Sequence, residues 1–257
     1  MTVKGRHITY TVIAVACTFP VLLLLFLSVS RNWIFPAVLP QQFSINNWVE
    51  AFAPGSGIAH SLFLTLCLSL SVAALATVAG FFCSKLIAYH KNKNALLLLA
   101  YLPFVLSPVI FAVCLRFYFI KLTLTGTFGG VMLAHLIIAF PYSVIFFTGF
   151  WNRQIQHYEM VVQTLGGSAR DAFRTVIVPA AKPMLLVCFF QCFLIAWFEY
   201  GLTSVIGYGK VQTLTIKVYQ FLTEANLFYA ALSSCLLVLP PVLLLLINKR
   251  IIFRADK

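Results

Sequence analysis

Residues of the types that carry out chemistry are sparse in this sequence and do not form the clusters that catalysis requires. The 257 residues include six acidic residues, five histidines and seven cysteines. The polar residues inside the apolar stretches do not combine into a Ser, His and Asp constellation or a metal site with recognisable spacing. We therefore predict no catalytic residue, no metal ligand and no cofactor in this chain.

Nucleotide hydrolysis by this chain is also excluded, because the sequence has no P-loop motif. A P-loop needs the pattern G-x-x-x-x-G-K-[ST], because its backbone N–H groups surround the phosphates and its hydroxyl residue binds Mg²⁺. The nearest string, GYGKV at 207–211, has neither the spacing nor the hydroxyl residue. If the protein takes part in an ATP-driven process, we expect ATP and Mg²⁺ on a separate ATPase subunit.

All the cysteines fall inside apolar stretches, and none has C-x-x-C spacing or a histidine at ligand spacing. They are Cys17, Cys67, Cys83, Cys114, Cys188, Cys192 and Cys235. Cys188 and Cys192 share one helix face at i and i+4. Because cysteine is among the most frequently buried residue types, we interpret all seven as small buried hydrophobic residues.

One acidic residue, Glu199, lies within a stretch that is otherwise apolar. It is 16 residues beyond Pro183, which is about 24 Å along a helix and within the outer part of a bilayer core of roughly 30 Å. A carboxylate at that depth is costly and indicates a functional site. Two interpretations remain open: Glu199 attracts a cationic solute, or it pairs structurally with Arg116 or reaches the interface.

Other polar residues extend this candidate solute path. Gln191 lies two turns before Glu199 on the same helix face, where it either lines a cavity or bonds to a neighbouring helix. The path is predicted to contain Glu199, Gln191, Arg116 and Tyr200. His135 is interpreted as a buried histidine with a hydrogen-bond partner.

The elements that position these residues are predicted from composition. Hydrophobic residues make up 61% of the chain and charged residues 9%, against about half and a quarter in soluble domains. A soluble globular fold is therefore excluded.

The apolar windows predict an all-α polytopic membrane protein, a single transmembrane domain over 1–257, because open strands cannot satisfy their backbone groups in lipid. The six predicted transmembrane helices are 8–30, 58–82, 95–118, 129–151, 183–206 and 225–248. Pro103, Pro108 and Pro141 are expected to interrupt the third and fourth of them.

A net charge of +12 is typical of proteins that bind nucleic acid, but no basic run or basic helix face supports that partner. Counted by alternate loops, 13 of the 18 Lys and Arg residues lie on the side that holds the termini. By the positive-inside rule, both termini are predicted to be cytoplasmic.

The inner loop at 152–182 is much longer than the other inner connections. Residues 154–165 show a helical stripe of apolar residues, consisting of Ile155, Tyr158, Val161, Val162 and Leu165. Gly166 and Gly167 are predicted to end this helix. Ser168 and Asp171 then form a capping box, and a second short helix at 169–176 is expected to end before Pro179, with Pro183 opening the fifth span. The hairpin either rests on lipid headgroups or docks a cytoplasmic partner.

This loop resembles the signature of type I ABC importer permeases, whose pattern is E-A-A, three residues, G, nine residues and I-x-L-P. With Gly166 as the anchor, E-A-A falls on Met160, Val161 and Val162, and I-x-L-P falls on 176–179. Glycine, aliphatic residues and proline agree, but Met160 replaces the glutamate and Glu159 lies one position earlier. The resemblance implies a coupling helix that fits an ATPase subunit. The residues it assigns to coupling are Met160, Val161, Val162, Leu165, Gly166, Arg170, Asp171, Arg174, Val176, Val178 and Pro179.

The same resemblance implies the partners. They are two ABC ATPase subunits, a second permease that is homologous or identical, an extracytoplasmic solute-binding protein and the lipid of a bacterial inner membrane. Residues 197–219 are also similar to permeases for polyamines, ferric iron and thiamine, which implies a small polar solute of polyamine-like charge. An ion-coupled secondary transporter is the alternative, although such carriers are expected to have several midplane carboxylates.

The charge distribution makes a direct prediction about topology. Reporter fusions after Lys93, Lys182 and Lys257 should report the cytoplasm, and fusions near Trp48, Thr125 and Lys210 should report the outer side. Paired alkaline phosphatase and green fluorescent protein fusions measure this. A reversal at any of these points would contradict the six-span topology.

Overall fold

The computed structural model describes residues 3–31, 40, 42–53 and 55–252. Its first half contains α1 (Val3–Ser28), β1 (Ser30–Arg31), β2 (Gln42–Phe43), α2 (Asn46–Ala51), α3 (Ile58–Ala88), α4 (Lys93–Val105), α5 (Pro108–Lys121) and α6 (Phe128–Thr148). Its second half contains α7 (Arg153–Thr164), α8 (Ala169–Ala172), a π-helical turn (Phe173–Ile177), α9 (Val178–Trp197), α10 (Gly201–Gly207), α11 (Leu214–Thr223) and α12 (Leu227–Ile252).

Within the described residues, four helical segments are long and apolar enough to cross a membrane. They are Ile58–Ala88, Phe128–Thr148, Ala169–Trp197 and Leu227–Leu244, and the bent pair of α4 and α5 makes a fifth if it counts as one span. This confirms an all-α, multi-pass membrane protein. The first predicted span, 8–30, and the cytoplasmic termini stay predictions, and Lys257 lies outside the described residues.

Contacts between residues divide the chain into two units. The first consists of Met1–Leu64 and Gln212–Leu243, and the second of Thr65–Val211 and Leu244–Lys257. In the first unit, β1 and β2 form a short antiparallel pair. The Asn47 amide donates to the Ser30 carbonyl at 3.0 Å, and the Tyr229 hydroxyl donates to Glu50 at 2.6 Å. The candidate site residues all belong to the second unit.

The third predicted span is broken. The structure replaces 95–118 with α4 and α5, which bend by 100° at the break between Val105 and Pro108. Ser107 has an extended backbone, as expected for the residue before a proline, and Pro108 opens α5 where its missing N–H costs nothing. The expected interruptions at Pro103 and Pro141 are wrong, because these residues lie inside α4 and α6.

The fifth predicted span is longer at its start and shorter at its end than expected. Residues 169–197 form one helical run, with the π-helical turn directly before α9. The expected helix end before Pro179 and the expected start at Pro183 are therefore wrong. The wider turn precedes prolines that have no N–H to donate to the preceding turn. After Trp197 the chain leaves the helix for three residues and then forms α10.

In the second unit, α3 and α6 approach each other closely. A Cβ atom at Gly80 would lie 2.5 Å from the Cβ of Ser143, so only glycine permits this distance. The rings of Phe81 and Phe147 meet edge to face at 5.1 Å next to this contact. Small residues allow membrane helices to pack by direct van der Waals contact, because lipid supplies no hydrophobic driving force between them. The two helices are thus in direct contact at Gly80 and Ser143.

This packing predicts a large effect at Gly80 and a small one at Gly129. Gly80→Ala should destabilise the subunit by about 1–3 kcal/mol, since overpacking forces the helices apart. Gly129→Ala in α6 is the matched control, because a Cβ there meets no atom within 4 Å. Thermal denaturation of the detergent-purified subunit measures both. Equal melting temperatures for the two variants would contradict the described packing.

Candidate functional site

The hairpin after α6 begins with α7, whose first turn is capped by Asn152. The Asn152 side chain accepts a hydrogen bond from the Ile155 backbone N–H at 3.0 Å, which satisfies one of the free donors of the first turn. The helix ends at Thr164. Gly166 follows with a φ of +85°, a left-handed conformation that strains other residues. The predicted helix and the predicted glycine turn are therefore confirmed.

The second arm of the hairpin begins with the predicted capping box. The Asp171 N–H donates to the Ser168 hydroxyl at 3.3 Å, and the Ser168 N–H donates to the Asp171 carboxylate at 2.9 Å. This reciprocal pair satisfies two backbone donors at the helix start. Ser168 and Asp171 thus fix the direction in which the chain returns to the membrane.

The residues assigned to coupling differ in exposure. Met160, Val161, Leu165, Gly166, Arg170, Asp171, Arg174 and Pro179 are exposed, whereas Val162, Val176 and Val178 are half-buried. Leu165 is 82% exposed. The apolar stripe expected from the sequence is therefore split. Ile155 is buried, and Val162 lies close to Gly167: a Cβ atom placed on Gly167 would be 2.7 Å from the Cγ1 atom of Val162. The free apolar surface consists of Met160, Val161 and Leu165.

The opposite face of α7 is held against the end of α3 by an ion pair. Lys85 Nζ donates to the two carboxylate oxygens of Glu159 at 2.7 and 3.0 Å. The Glu159 side chain is 17% exposed. Burial, and then the nearby charge of Glu159, raise the pKa of Tyr89. This ion pair could not be predicted from the sequence, because its two residues are 74 positions apart.

Aromatic side chains fill the space beneath this ion pair. The Trp151 ring lies 4.9 Å from the Phe81 ring, and its N–H donates to the Ser84 hydroxyl at 2.8 Å. Phe173, from the π-helical turn, stacks on Phe82 at 5.8 Å. Lys85 Nζ lies 5.4 Å from the Trp151 ring centroid, within the range of a cation–π contact. Both arms of the hairpin are thus attached to the last turns of α3.

The candidate solute path contains a second feature, a helix break at Glu199. Glu199 is half-buried between α9 and α10, and its Oε1 accepts the Leu202 backbone N–H at 2.9 Å. Sequence reasoning expected Glu199 inside a continuous helix, and the structure places it at the break, where it satisfies a backbone donor of α10. A side-chain oxygen in this position acts as a helix cap.

The break at Glu199 meets the break before α5. A Cβ at Gly201 would lie 2.7 Å from Val109 Cγ2 and 3.3 Å from the Val109 nitrogen. The helix α10 packs against α5 and α6. Non-helical backbone at membrane depth is tolerated where protein surrounds it or where it lines a cavity. These two breaks therefore form one connected region of the second unit.

Of the alternatives left open for Glu199, the pairing with Arg116 is not present, because no ion pair within 4 Å joins these two described residues. The Arg116 guanidinium lies 5.3 Å from the centroid of the Tyr208 ring instead. Tyr200, at the N-cap of α10, is half-buried. Gln191 accepts a hydrogen bond from the Tyr142 hydroxyl, so it joins α9 to α6, the helix-packing role that the sequence left open.

His135 and the cysteines were predicted to be buried. His135 is 2% exposed and its Nε2 lies 2.9 Å from the Thr203 hydroxyl. Cys188 and Cys192 are buried on α9, as predicted. Cys114 is exposed and Cys67, Cys83 and Cys235 are half-buried, which contradicts the expectation for these four residues. The Cys17 side chain lies outside the described residues. Within the described residues, no group of three His, Cys, Asp or Glu side chains is arranged to hold a metal ion.

These features define an all-helical, multi-pass membrane protein with an anchored hairpin at one end of its spans. No family model matches the chain. It is 28% identical to the chloroplastic sulfate permease 2 of Chlamydomonas reinhardtii over 75% of this chain and 60% of that protein. It is 26% identical to a putative 2-aminoethylphosphonate transport system permease protein of Salmonella typhimurium over 90% and 88%. It is 22% identical to the spermidine/putrescine transport system permease protein of Haemophilus influenzae over 78% and 79%.

The homologues of this chain are thus permease subunits of ABC transport systems. The resemblance drawn from the loop at 152–182 is confirmed at this level. The chain spans 60% of the length of the sulfate permease and 88% of the length of the phosphonate permease. The solutes named for these relatives differ in charge, so they do not assign one solute to this chain.

Proposed function

We propose that the chain is the permease subunit of an ATP-driven ABC importer in a bacterial cytoplasmic membrane. It forms half of a solute pathway with a second permease, and two ATPase subunits and an extracytoplasmic solute-binding protein complete the system. One observation carries this proposal: α7 exposes an apolar surface on one face while its other face is fixed to α3. A helix that only rests on lipid headgroups has no need of that anchor.

The exposed surface has the composition of a docking site. Met160, Val161 and Leu165 present apolar side chains that can enter a pocket of a partner, and buried apolar anchors supply most of the energy of such contacts. Arg170 and Arg174 are exposed on the second arm and can face acidic groups of the partner, which steers association and fixes its register. The ATPase subunit is the partner that this surface is proposed to bind.

The mechanism follows from the attachment of the hairpin. When ATP closes the ATPase dimer, the docked hairpins move, and the contacts of α7 with α3 pass the movement to the spans. The pathway then changes the side to which it opens. An ion-coupled carrier is the competing function, since broken helices also occur in such carriers; the anchored hairpin and the permease homologues favour the importer.

A pocket in the first unit supports a docking role for its outer side. An open pocket of about 310 Å³ is lined by Glu50, Tyr229, Asn226 and Phe221 among other residues. Glu50 and Phe221 belong to predicted outer loops, and Asn226 and Tyr229 belong to the outer end of the sixth predicted span. We therefore propose that the solute-binding protein docks at this surface.

The docking role predicts that Gly166→Val impairs coupling. Valine at a φ of +85° costs roughly 1–2 kcal/mol and misplaces the turn beside Leu165. Gly209→Val is the matched control, because Gly209 also has a positive φ of 72° and, like Gly166, has no atom within 4 Å of its Cβ position. Uptake by cells and ATPase stimulation by the binding protein should fall for Gly166→Val alone. Normal coupling in Gly166→Val, or an equal loss in both variants, would contradict the assignment.

We further propose that the solute is a small polar cation and that Glu199 attracts it. The support is a half-buried carboxylate at a helix break that adjoins a second break, together with the similarity to a spermidine/putrescine permease. An ionised side chain at membrane depth is retained where it serves a pathway.

The capping bond of Glu199 makes a clean test possible. Glu199→Gln removes the charge but keeps an oxygen that can accept the Leu202 N–H, so the subunit should fold normally. Loss of a charge interaction of about 1.4 kcal/mol should weaken spermidine uptake about tenfold. Arg116→Gln tests the structural alternative, and it should not rescue Glu199→Gln. Full spermidine uptake by Glu199→Gln, or transport of sulfate in place of spermidine by the unmodified system, would refute the cationic solute.

A further inference from the structure

We propose that Lys85 and Glu159 are positioning residues that make α3 move together with the hairpin. This inference rests on the proposed function, in which α7 docks on the ATPase subunit. Neither residue touches solute or nucleotide. Their role is to transmit a displacement from the docking surface to a membrane-spanning helix.

The Glu159 side chain points to α3 and away from the docking surface. Adjacent residues of a helix point about 100° apart. Met160 is 50% exposed on the docking side, whereas the Glu159 side chain is 17% exposed and points to α3. A carboxylate that is largely withdrawn from water needs a partner, and Lys85 donates to both of its oxygens. Glu159 is therefore used within the chain and is not presented to a partner.

The second step concerns the number of attachments. The ion pair fixes the second turn of α7, and at the start of the hairpin the Tyr89 hydroxyl donates to the Asn152 carbonyl at 3.5 Å. Trp151 adds the hydrogen bond to Ser84 at 2.8 Å. A helix held at one point can pivot, but a helix held at two points moves with its support. The ion pair is the attachment farther along α7.

The third step follows the displacement into the membrane. The same helix α3 is locked to α6 at Gly80 and Phe81, so a force applied to its inner end reaches two spans. The covalent connection from α6 to α7 passes through the non-helical residues 149–152, so it does not continue one rigid helix into the other. The Lys85–Glu159 pair thus adds a stiff route beside the covalent one.

The decisive variant removes both charges at once. Lys85→Met with Glu159→Gln leaves no unpaired charge, so the chain should still fold, but it has no ion pair. Lys91→Met is the control, because it removes one cation from the same inner loop at an exposed position. Spin labels at His157 on α7 and at Leu86 on α3, both exposed, report the distance between the helices in the purified complex with its ATPase subunits, with and without ATP.

In the unmodified complex and in Lys91→Met, we expect the same label distance with and without ATP. In the double variant, ATP should shift that distance, because the hairpin moves and α3 stays behind. A purely structural role would change the distance equally in both states. A distance that does not respond to ATP in the double variant, with the ATPase still bound, overturns this inference alone. Failure of the unmodified chain to retain an ATPase overturns the proposed function and this inference with it.

Discussion

The absence of water from the bilayer core is the constraint on which this structure depends. Each backbone group that leaves a helix at that depth must find a partner inside the protein. The chain leaves the helix between α4 and α5 and again between α9 and α10, and the two breaks lie against each other at Val109 and Gly201. Glu199 supplies the acceptor for Leu202 there. A solute path is proposed at this place because only a pathway or a tightly packed core accommodates such breaks.

The inner hairpin meets a different requirement, since it must be free on one face and held on the other. Neighbouring residues of α7 divide these tasks: Met160 and Val161 are exposed, and Glu159 is bonded to Lys85. The departure from the importer signature at Met160 therefore has a physical counterpart. An acid shifted by one residue faces the chain's own α3, and an apolar side chain takes the place that faces outward.

Features set by local sequence were predictable, and features set by distant contacts were not. The turn at Gly166 and the capping box of Ser168 and Asp171 depend on residues within a few positions, and both follow from the sequence. The apolar windows gave the long helices because the bilayer fixes their length. The pairing of Lys85 with Glu159 joins residues 74 positions apart, and no periodicity encodes it.

Prolines in the sequence also do not predict by themselves where a helix breaks. Pro108 coincides with a break, but Pro141 lies within a continuous α6, because neighbouring helices can satisfy the carbonyl that a proline leaves free. The sequence left the partner of Glu199 open, since the end of α9 at Trp197 depends on how α10 packs against α5 and α6. The sequence thus identifies residues that can break a helix or serve a site, and the packing of the helices determines which of them do so.

Site-specific photocrosslinking at Leu165 tests the central claim most directly. A photoreactive amino acid at this position, and another at the exposed Tyr208 as the control, is activated in intact membranes that contain the whole transport system. The account predicts that the Leu165 derivative joins the chain to a P-loop ATPase subunit and that the Tyr208 derivative does not. Crosslinks from Leu165 to lipid alone would contradict it.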